Sequence, residues 1–199
     1  MAYQWILFDL DDTLFDFPAA EALDAALAHY SVTLTAEMLA DYQALNKALW
    51  EQYNAGLLDA ETLKQARFRD LAPQSGVSPL ELNHTFLQAI LQRSQPLPGV
   101  EQTLRQLHGK VGMGIITNGF ADIQHARLNQ SGLADCFDFM LVSEELGVNK
   151  PDPRIFEAAL ARMVSCDLRC RALGLIAQVA LDATTGPSPM PKYPAPSCR

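Results

Sequence analysis

The stretch Trp5-Ile6-Leu7-Phe8-Asp9-Leu10-Asp11-Asp12-Thr13-Leu14 constrains this chain more than any other. Four apolar residues, aromatic at both ends, run into two acids one residue apart. Such a run reads as a buried strand. Side chains alternate along a strand, so Asp9 and Asp11 point the same way at its carboxyl end. In open α/β sheets ligands bind at that end. Two carboxylates so close repel, and each holds a proton unless a cation lies between them. The pattern asks for a metal ion or for a proton shared in catalysis. The plainer alternative is an exposed acidic turn.

After Leu14 the character changes. From Phe17 to Ser94 the chain is rich in Ala, Leu, Gln and Glu and poor in β-branched residues, which favours helix. Ala20, Leu23, Leu27 and Tyr30 keep helical spacing. So do Leu39, Tyr42, Leu45, Leu49 and Tyr53, in a helix expected from Thr35 to near Gly56. A third helix is expected from Ala60 to Leu71. A fourth opens at Ser78-Pro79-Leu80-Glu81, with serine as N-cap, proline at the first position and glutamate at the third. This block has no strand to give to a sheet and reads as a helical unit with its own core.

Pro96-Leu97-Pro98-Gly99 punctuates the return to alternating structure. Val100 to His108 reads as helix, Val111 to Thr117 as buried strand, Ala121 to Gly132 as helix and Phe137 to Ser143 as strand. Asp152-Pro153 opens a further helix to about Met163. Strands alternating with helices imply a parallel sheet with crossover helices. The strand at Trp5 joins that sheet across the helical block. The fold class is therefore α/β, a Rossmann-like parallel sheet with an inserted helical unit.

At 199 residues the chain fits one domain with an insertion, or two small domains. A net charge of −8 argues against a nucleic-acid polymer as partner, because such binding rests on Lys and Arg neutralising phosphates. A small phosphorylated substrate needs only a local cation. No basic stretch followed by a long apolar run marks a signal peptide. No apolar run approaches the ~18 residues of a membrane span. A soluble, cytoplasmic protein, monomeric or a small homo-oligomer, is the expectation. Cys136, Cys166, Cys170 and Cys198 lack zinc-site spacing and read as reduced thiols.

Three constellations stand at the ends of the predicted strands: Asp9 and Asp11, then Thr117-Asn118-Gly119, then Lys150-Pro151. In this order the chain resembles the haloacid dehalogenase superfamily of phosphohydrolases. F-D-L-D-D-T-L-F (Phe8 to Phe15), I-I-T-N-G (Ile115 to Gly119) and N-K-P-D-P-R-I-F (Asn149 to Phe156) match its first three motifs. The resemblance spans about Ala2 to Met163. Within the superfamily it is most similar to bacterial housecleaning pyrimidine 5′-nucleotidases. It implies a core of residues 1–15 and 95–182 and an α-helical cap of residues 16–94; the crowded prolines of residues 183–199 read instead as a disordered tail. It further implies Asp9 as nucleophile, Asp11 as general acid and base, and Lys150 as the charge-neutralising cation. Thr117 and Asn118 would bind phosphate. Mg²⁺ would be held by Asp9 and the main-chain carbonyl of Asp11. Phe15, Phe17, Asn46 and Trp50 would touch substrate from the cap side.

The chain also departs from the pattern. The family's fourth motif, an apolar strand ending in Gly-Asp with a further Asp, is not found after Met163. From about Val164 the composition shifts, three of the four cysteines fall there, and prolines crowd the last residues. A frameshift near Val164 would account for this. Arg171 to Leu181 reads as one apolar strand or short helix, and Asp182, the one acid beyond Cys170, is the candidate substitute ligand. The expected function is Mg²⁺-dependent hydrolysis of a nucleoside 5′-monophosphate. The rivals are a catalytically inactive remnant that binds phosphate, and a sugar-phosphate phosphatase or phosphomutase. A dehalogenase proper is disfavoured, since carbon–halogen cleavage needs no acid at Asp11.

Overall fold

The computed structural model describes residues 3–170 of the chain. The apolar run forms strand β1 (Trp5–Phe8). Helices α1 (Ala19–His29), α2 (Ala36–Asn54), α3 (Ala60–Ala66), α4 (Ala72–Ser75) and α5 (Pro79–Arg93) follow without a strand between them. The chain then alternates through α6 (Val100–Leu107), β2 (Gly112–Thr117), α7 (Ala121–Gln130), a short 3₁₀ turn at Ala134–Cys136, β3 (Phe139–Val142), the single turn α8 (Ser143–Leu146) and α9 (Pro153–Cys170).

The described strands form one parallel sheet in the order β1-β2-β3. Phe8 pairs with Ile115, and Thr117 with Val142, so the three carboxyl ends lie along one edge. β2 is central and buried from Met113 to Thr117, whereas β1 is half-buried along its length. Leu10, Leu14, Phe15, Leu104, Met113 and Ile115 fill one side of the sheet, while Ile116, Leu141, Ile155 and Met163 fill the other. The helical insertion has its own core of Leu23, Leu27, Tyr42, Phe68, Leu82, Phe86 and Ile90. Phe120 and Ile123, from the start of α7, pack into that core and join the two layers.

Local chemistry sets the helix boundaries. The Thr35 hydroxyl accepts from the Met38 N–H at 3.2 Å, and the Ser78 hydroxyl accepts from the Glu81 N–H at 3.2 Å. The Asp152 carboxylate accepts from the Arg154 N–H at 2.9 Å. Two expectations are corrected. The helix expected over Ala60 to Leu71 stops at Ala66 and restarts at Ala72, with Pro73 in the first turn of α4. Proline lacks the N–H that a continuous helix would use there. The last helix runs past Met163 to Cys170, since no glycine or proline interrupts it. The readings of Arg171 to Leu181, of Asp182 and of the tail lie outside the described residues.

Two strand glycines make room for aromatic rings that cross the sheet. A Cβ on Gly112 would lie 2.5 Å from the Trp5 ring, and one on Gly114 would lie 2.5 Å from the Phe139 ring. Those rings meet with centroids 5.8 Å apart. Gly114→Ala is expected to destabilise the protein by about 1–3 kcal/mol through overpacking. Urea denaturation measures this; an unchanged midpoint would mean that Phe139 moves aside without cost.

Candidate active site

The loop after β1 is built from its apolar residues. Leu10 and Leu14 are buried, and the Leu14 and Phe15 N–H groups both donate to the Leu10 carbonyl, at 2.9 and 3.0 Å. Asp12 takes a left-handed conformation (φ 53°), which aspartate tolerates better than most residues. The Asp12 N–H donates to the Phe15 carbonyl at 2.7 Å and closes the turn. Asp9 and Asp11 are left at the rim of the sheet. The Asp9 carboxylate accepts from the Leu10 N–H at 2.8 Å and pairs with Lys150 Nζ at 2.6 Å. The two groups are separated by 141 positions in sequence, and the parallel register brings them together.

Thr117 ends β2 and is buried. Its hydroxyl oxygen accepts from Gln124 Nε2 at 2.9 Å and from the Gly119 N–H at 3.3 Å. With those lone pairs engaged, its own proton is the group left to donate. The Asn118 side chain fastens the loop that carries Lys150. Its Oδ1 accepts from the Lys150 N–H at 2.7 Å, and its Nδ2 donates to the Lys150 carbonyl at 3.0 Å. Nδ2 also donates to Asn54 Oδ1 at 3.2 Å, on the helical layer. Asn149 reaches the same layer, donating to the Tyr53 carbonyl at 2.8 Å. Glu144 adds a further tie, pairing with Lys64 Nζ at 2.8 Å and accepting from the Ala121 N–H at 2.7 Å.

Two residues not foreseen from the sequence hold Asp11. Arg127 Nη1 pairs with Asp11 Oδ1, and Gln124 Nε2 donates to Asp11 Oδ2 at 2.9 Å. Arg127 also donates to Ser94 Oγ at 2.9 Å, to Gln124 Oε1 at 2.8 Å and to the Asp16 carbonyl at 2.7 Å. One buried guanidinium thus links α7, the acidic loop and both chain crossings into the helical layer. The signal was present as Gln124 and Arg127, two polar residues at i,i+3 spacing on the buried face of α7. Gly119 belongs to the same cluster, because a Cβ there would stand 2.0 Å from Gln124 Nε2.

These groups open into a cleft of about 300 Å³ between the sheet edge and the helical layer. Asp9, Asp11, Thr117, Asn118 and Lys150 line its floor, and Phe17, Asn46 and Trp50 line it from the helices. Phe15 does not reach it. Placed on the substrate side by the sequence reading, it is buried in the sheet core with Leu10 and Leu104, beneath the Arg127 guanidinium at 5.5 Å. It follows Leu14 into the core, and Phe17, two residues on, takes the position facing the cleft.

A family model described as haloacid dehalogenase-like hydrolase matches residues 3–168. The chain belongs to the haloacid dehalogenase-like hydrolases. It is an enzyme of phosphatase type within that family. It is 43% identical over 173 residues to pyrimidine 5′-nucleotidase YjjG of Escherichia coli, covering 87% of this chain and 76% of that one. It is 36% identical to pyrimidine 5′-nucleotidase PynA of Streptococcus pneumoniae, covering 79% of this chain and 68% of that one. The crystal structure of the HAD-hydrolase YfnB from Bacillus subtilis bound to magnesium superposes with a TM-score of 0.73 at 30% identity, over 81% of this chain and 74% of that one. No described helix is long and apolar enough to cross a membrane.

Magnesium fits this hydrolase in part. It takes oxygen ligands and is commonly held by one or two carboxylates, with waters and substrate oxygens completing the shell. Asp9 and the Asp11 carbonyl are donors of that kind, whereas the Asp11 carboxylate is engaged by Arg127 and Gln124. Among the described residues no group of three or more His, Cys, Asp or Glu side chains is placed to hold a metal ion. The donor set therefore suits a largely hydrated ion, not a closed protein cage.

Arg127→Met removes the buried partner of Asp11 and leaves the Asp16 carbonyl and Ser94 hydroxyl without their donor. Breaking a buried pair costs roughly 3–5 kcal/mol, and solvent at the one-third exposed Asp11 brings the expectation down to about 2 kcal/mol. Chemical denaturation of variant and parent checks it. Gly119→Ala should push Gln124 off both Thr117 and Asp11, seen as at least about a tenfold loss of phosphate release. A fully active Gly119→Ala protein would show that Gln124 has no part in placing these groups.

Proposed function

We propose that this protein hydrolyses nucleoside 5′-monophosphates, with pyrimidine nucleotides as its substrates, through an aspartyl-phosphate on Asp9. The carrying observation is that one cleft is lined both by Asp9, Asp11, Thr117 and Lys150 and by Phe17, Trp50, Phe86 and Phe120. A phosphate bound at the acids leaves the aromatic lining to a flat, apolar leaving group. The 43% identity to a pyrimidine 5′-nucleotidase supports the same reading.

In this mechanism an Asp9 carboxylate oxygen attacks phosphorus while the bond to the leaving oxygen breaks. Asp11 gives its proton to that oxygen, then takes one from the water that attacks the aspartyl-phosphate. Phosphate leaves and the Asp9 carboxylate is restored. Lys150, 2.6 Å from Asp9, lies where it neutralises charge on nucleophile and phosphoryl group. The Thr117 hydroxyl and the Asn118 main-chain N–H are assigned to the phosphate oxygens. Arg127 and Gln124 hold the Asp11 carboxyl in place for both transfers. Mg²⁺, held by Asp9 and the Asp11 carbonyl, would supply charge neutralisation for the phosphate when bound. The helices of residues 16–94 act as a cap that closes over the sheet edge and excludes water.

The second reading, a remnant that binds phosphate without turning it over, draws on the thin set of metal donors among the described residues. Release of phosphate from uridine 5′-monophosphate across a range of Mg²⁺ concentrations decides between them. Turnover is expected, lost on chelation and abolished in Asp9→Asn. No release at any Mg²⁺ concentration favours the remnant. Lys150→Ala is expected to lower kcat/KM by about 10²-fold or more, the usual effect of removing one preorganised electrostatic group. An effect on KM alone would move Lys150 out of the chemical step.

A further inference from the structure

The helical side of the cleft carries a second polar cluster that the phosphoryl chemistry does not use. Arg67, at the end of α3, is 3% exposed and lines the cleft. Among the described residues no carboxylate lies within ion-pair distance of it. Its Nε donates to Asn83 Oδ1 at 2.9 Å, and Nη2 donates to the same oxygen. Its guanidinium stands 5.1 Å from the Phe68 ring, 5.0 Å from Phe86 and 5.4 Å from Phe120. Three aromatic faces and one amide oxygen thus compensate the charge, and a flat donor group is fixed in place.

Two more polar atoms lining this cleft have no partner among the described residues. The Tyr42 hydroxyl and Asn46 Oδ1 are buried without a hydrogen bond, and both residues line the same cleft. Buried polar atoms are nearly always paired, so such orphans in a ligand-sized cavity mark a missing partner. Burial pushes the Tyr42 hydroxyl up from its ordinary value, against the opposing charge of Arg67, so it stays protonated and able to donate. The cavity therefore offers fixed donors at Arg67 and Tyr42 and an acceptor at Asn46.

The mixture decides the ligand. A carboxylate or second phosphate on the leaving group would satisfy Arg67 but has no donor for Asn46 Oδ1. A plain sugar fits the donors and acceptor but not the flat aromatic walls at Trp50, Phe86 and Phe120. A neutral heterocycle with a ring oxo group beside an N–H or amino group meets every requirement. We infer that Arg67, clamped by Asn83, is the specificity-determining residue of this cleft and donates to an oxo group on the edge of a nucleobase, with Tyr42 and Asn46 completing that edge. The inference rests on the nucleotidase reading and adds which residues choose the leaving group.

Equilibrium binding tests it separately from turnover. Trp50 lines the cleft, so tryptophan fluorescence of the full chain carrying Asp9→Asn, with Mg²⁺, reports occupancy without turnover. The probes are uridine 5′-monophosphate, adenosine 5′-monophosphate (a base without an oxo group), ribose 5-phosphate and phosphoserine. Uridine 5′-monophosphate is expected to bind at least about tenfold more tightly than the other three, the usual effect of a hydrogen bond to a charged donor. Arg67→Met and Tyr42→Phe should each shrink that ratio. Because Arg67→Met removes a fully buried group and can fail to fold, near-isosteric Tyr42→Phe decides alone in that event. Equal binding of uridine 5′-monophosphate and ribose 5-phosphate would overturn the inference, as would tightest binding of phosphoserine or a ratio untouched by the variants. Base discrimination without phosphate release would sink the hydrolase mechanism and leave this assignment standing. Release without discrimination does the reverse.

Discussion

Parallel pairing of β1 with β2 is the constraint on which the site depends. The two strands lie more than a hundred positions apart in sequence, yet Trp5 to Phe8 align with Gly112 to Ile115 in register. Strand β3 extends the same sense, with Gly114 against Phe139. Parallel strands present all their carboxyl ends on one edge, so the residue after each strand enters one region of space. A one-residue slip would turn Asp9 and Thr117 toward opposite faces of the sheet. Gly112 and Gly114 hold the register from within, since their missing side chains make room for Trp5 and Phe139.

Buried cations then give the edge its chemistry. Arg127 and Arg67 are both almost fully enclosed, and each is compensated differently. Arg127 is balanced by Asp11 and saturated by main-chain and side-chain oxygens, which makes it a fixed strut between the acids and the helical layer. Among the described residues no acid pairs with Arg67, which leans on aromatic faces and Asn83. Lys150 differs from both: it is partly exposed, pairs directly with Asp9 and opens onto the cleft. A saturated cation can only position, whereas one with open donors can meet substrate.

Much of this arrangement was legible in the chain. The apolar run before Asp9, the break into helix after Phe17 and the return at Pro96 fix the order of elements, and the motifs at Thr117 and Lys150 mark two further strand ends. Gln124 and Arg127 escaped because polar residues inside an amphipathic helix look like solvated ones until the partner on another element is known. Phe15 was misplaced for the converse reason: its neighbour Phe17 has the same chemistry, and only the turn closed by Asp12 and Phe15 decides which ring enters the core. The end of the last helix was drawn too early because a shift in composition is not a helix breaker.

By itself the sequence determined the α/β class, the inserted helical unit and the acids, hydroxyl and lysine that can carry phosphoryl transfer. The class and the insertion follow from periodicity, capping residues and local spacing, all interactions within a few positions of one another, while the acids, hydroxyl and lysine were marked by motifs resembling those of a known family. The tertiary structure alone decided that Lys150 meets Asp9, that Arg127 holds Asp11 to both chain crossings, and that Arg67 faces the same cleft beside Tyr42 and Asn46. Those are contacts between distant segments. They exist only once the sheet has closed its register and the helices have packed above it.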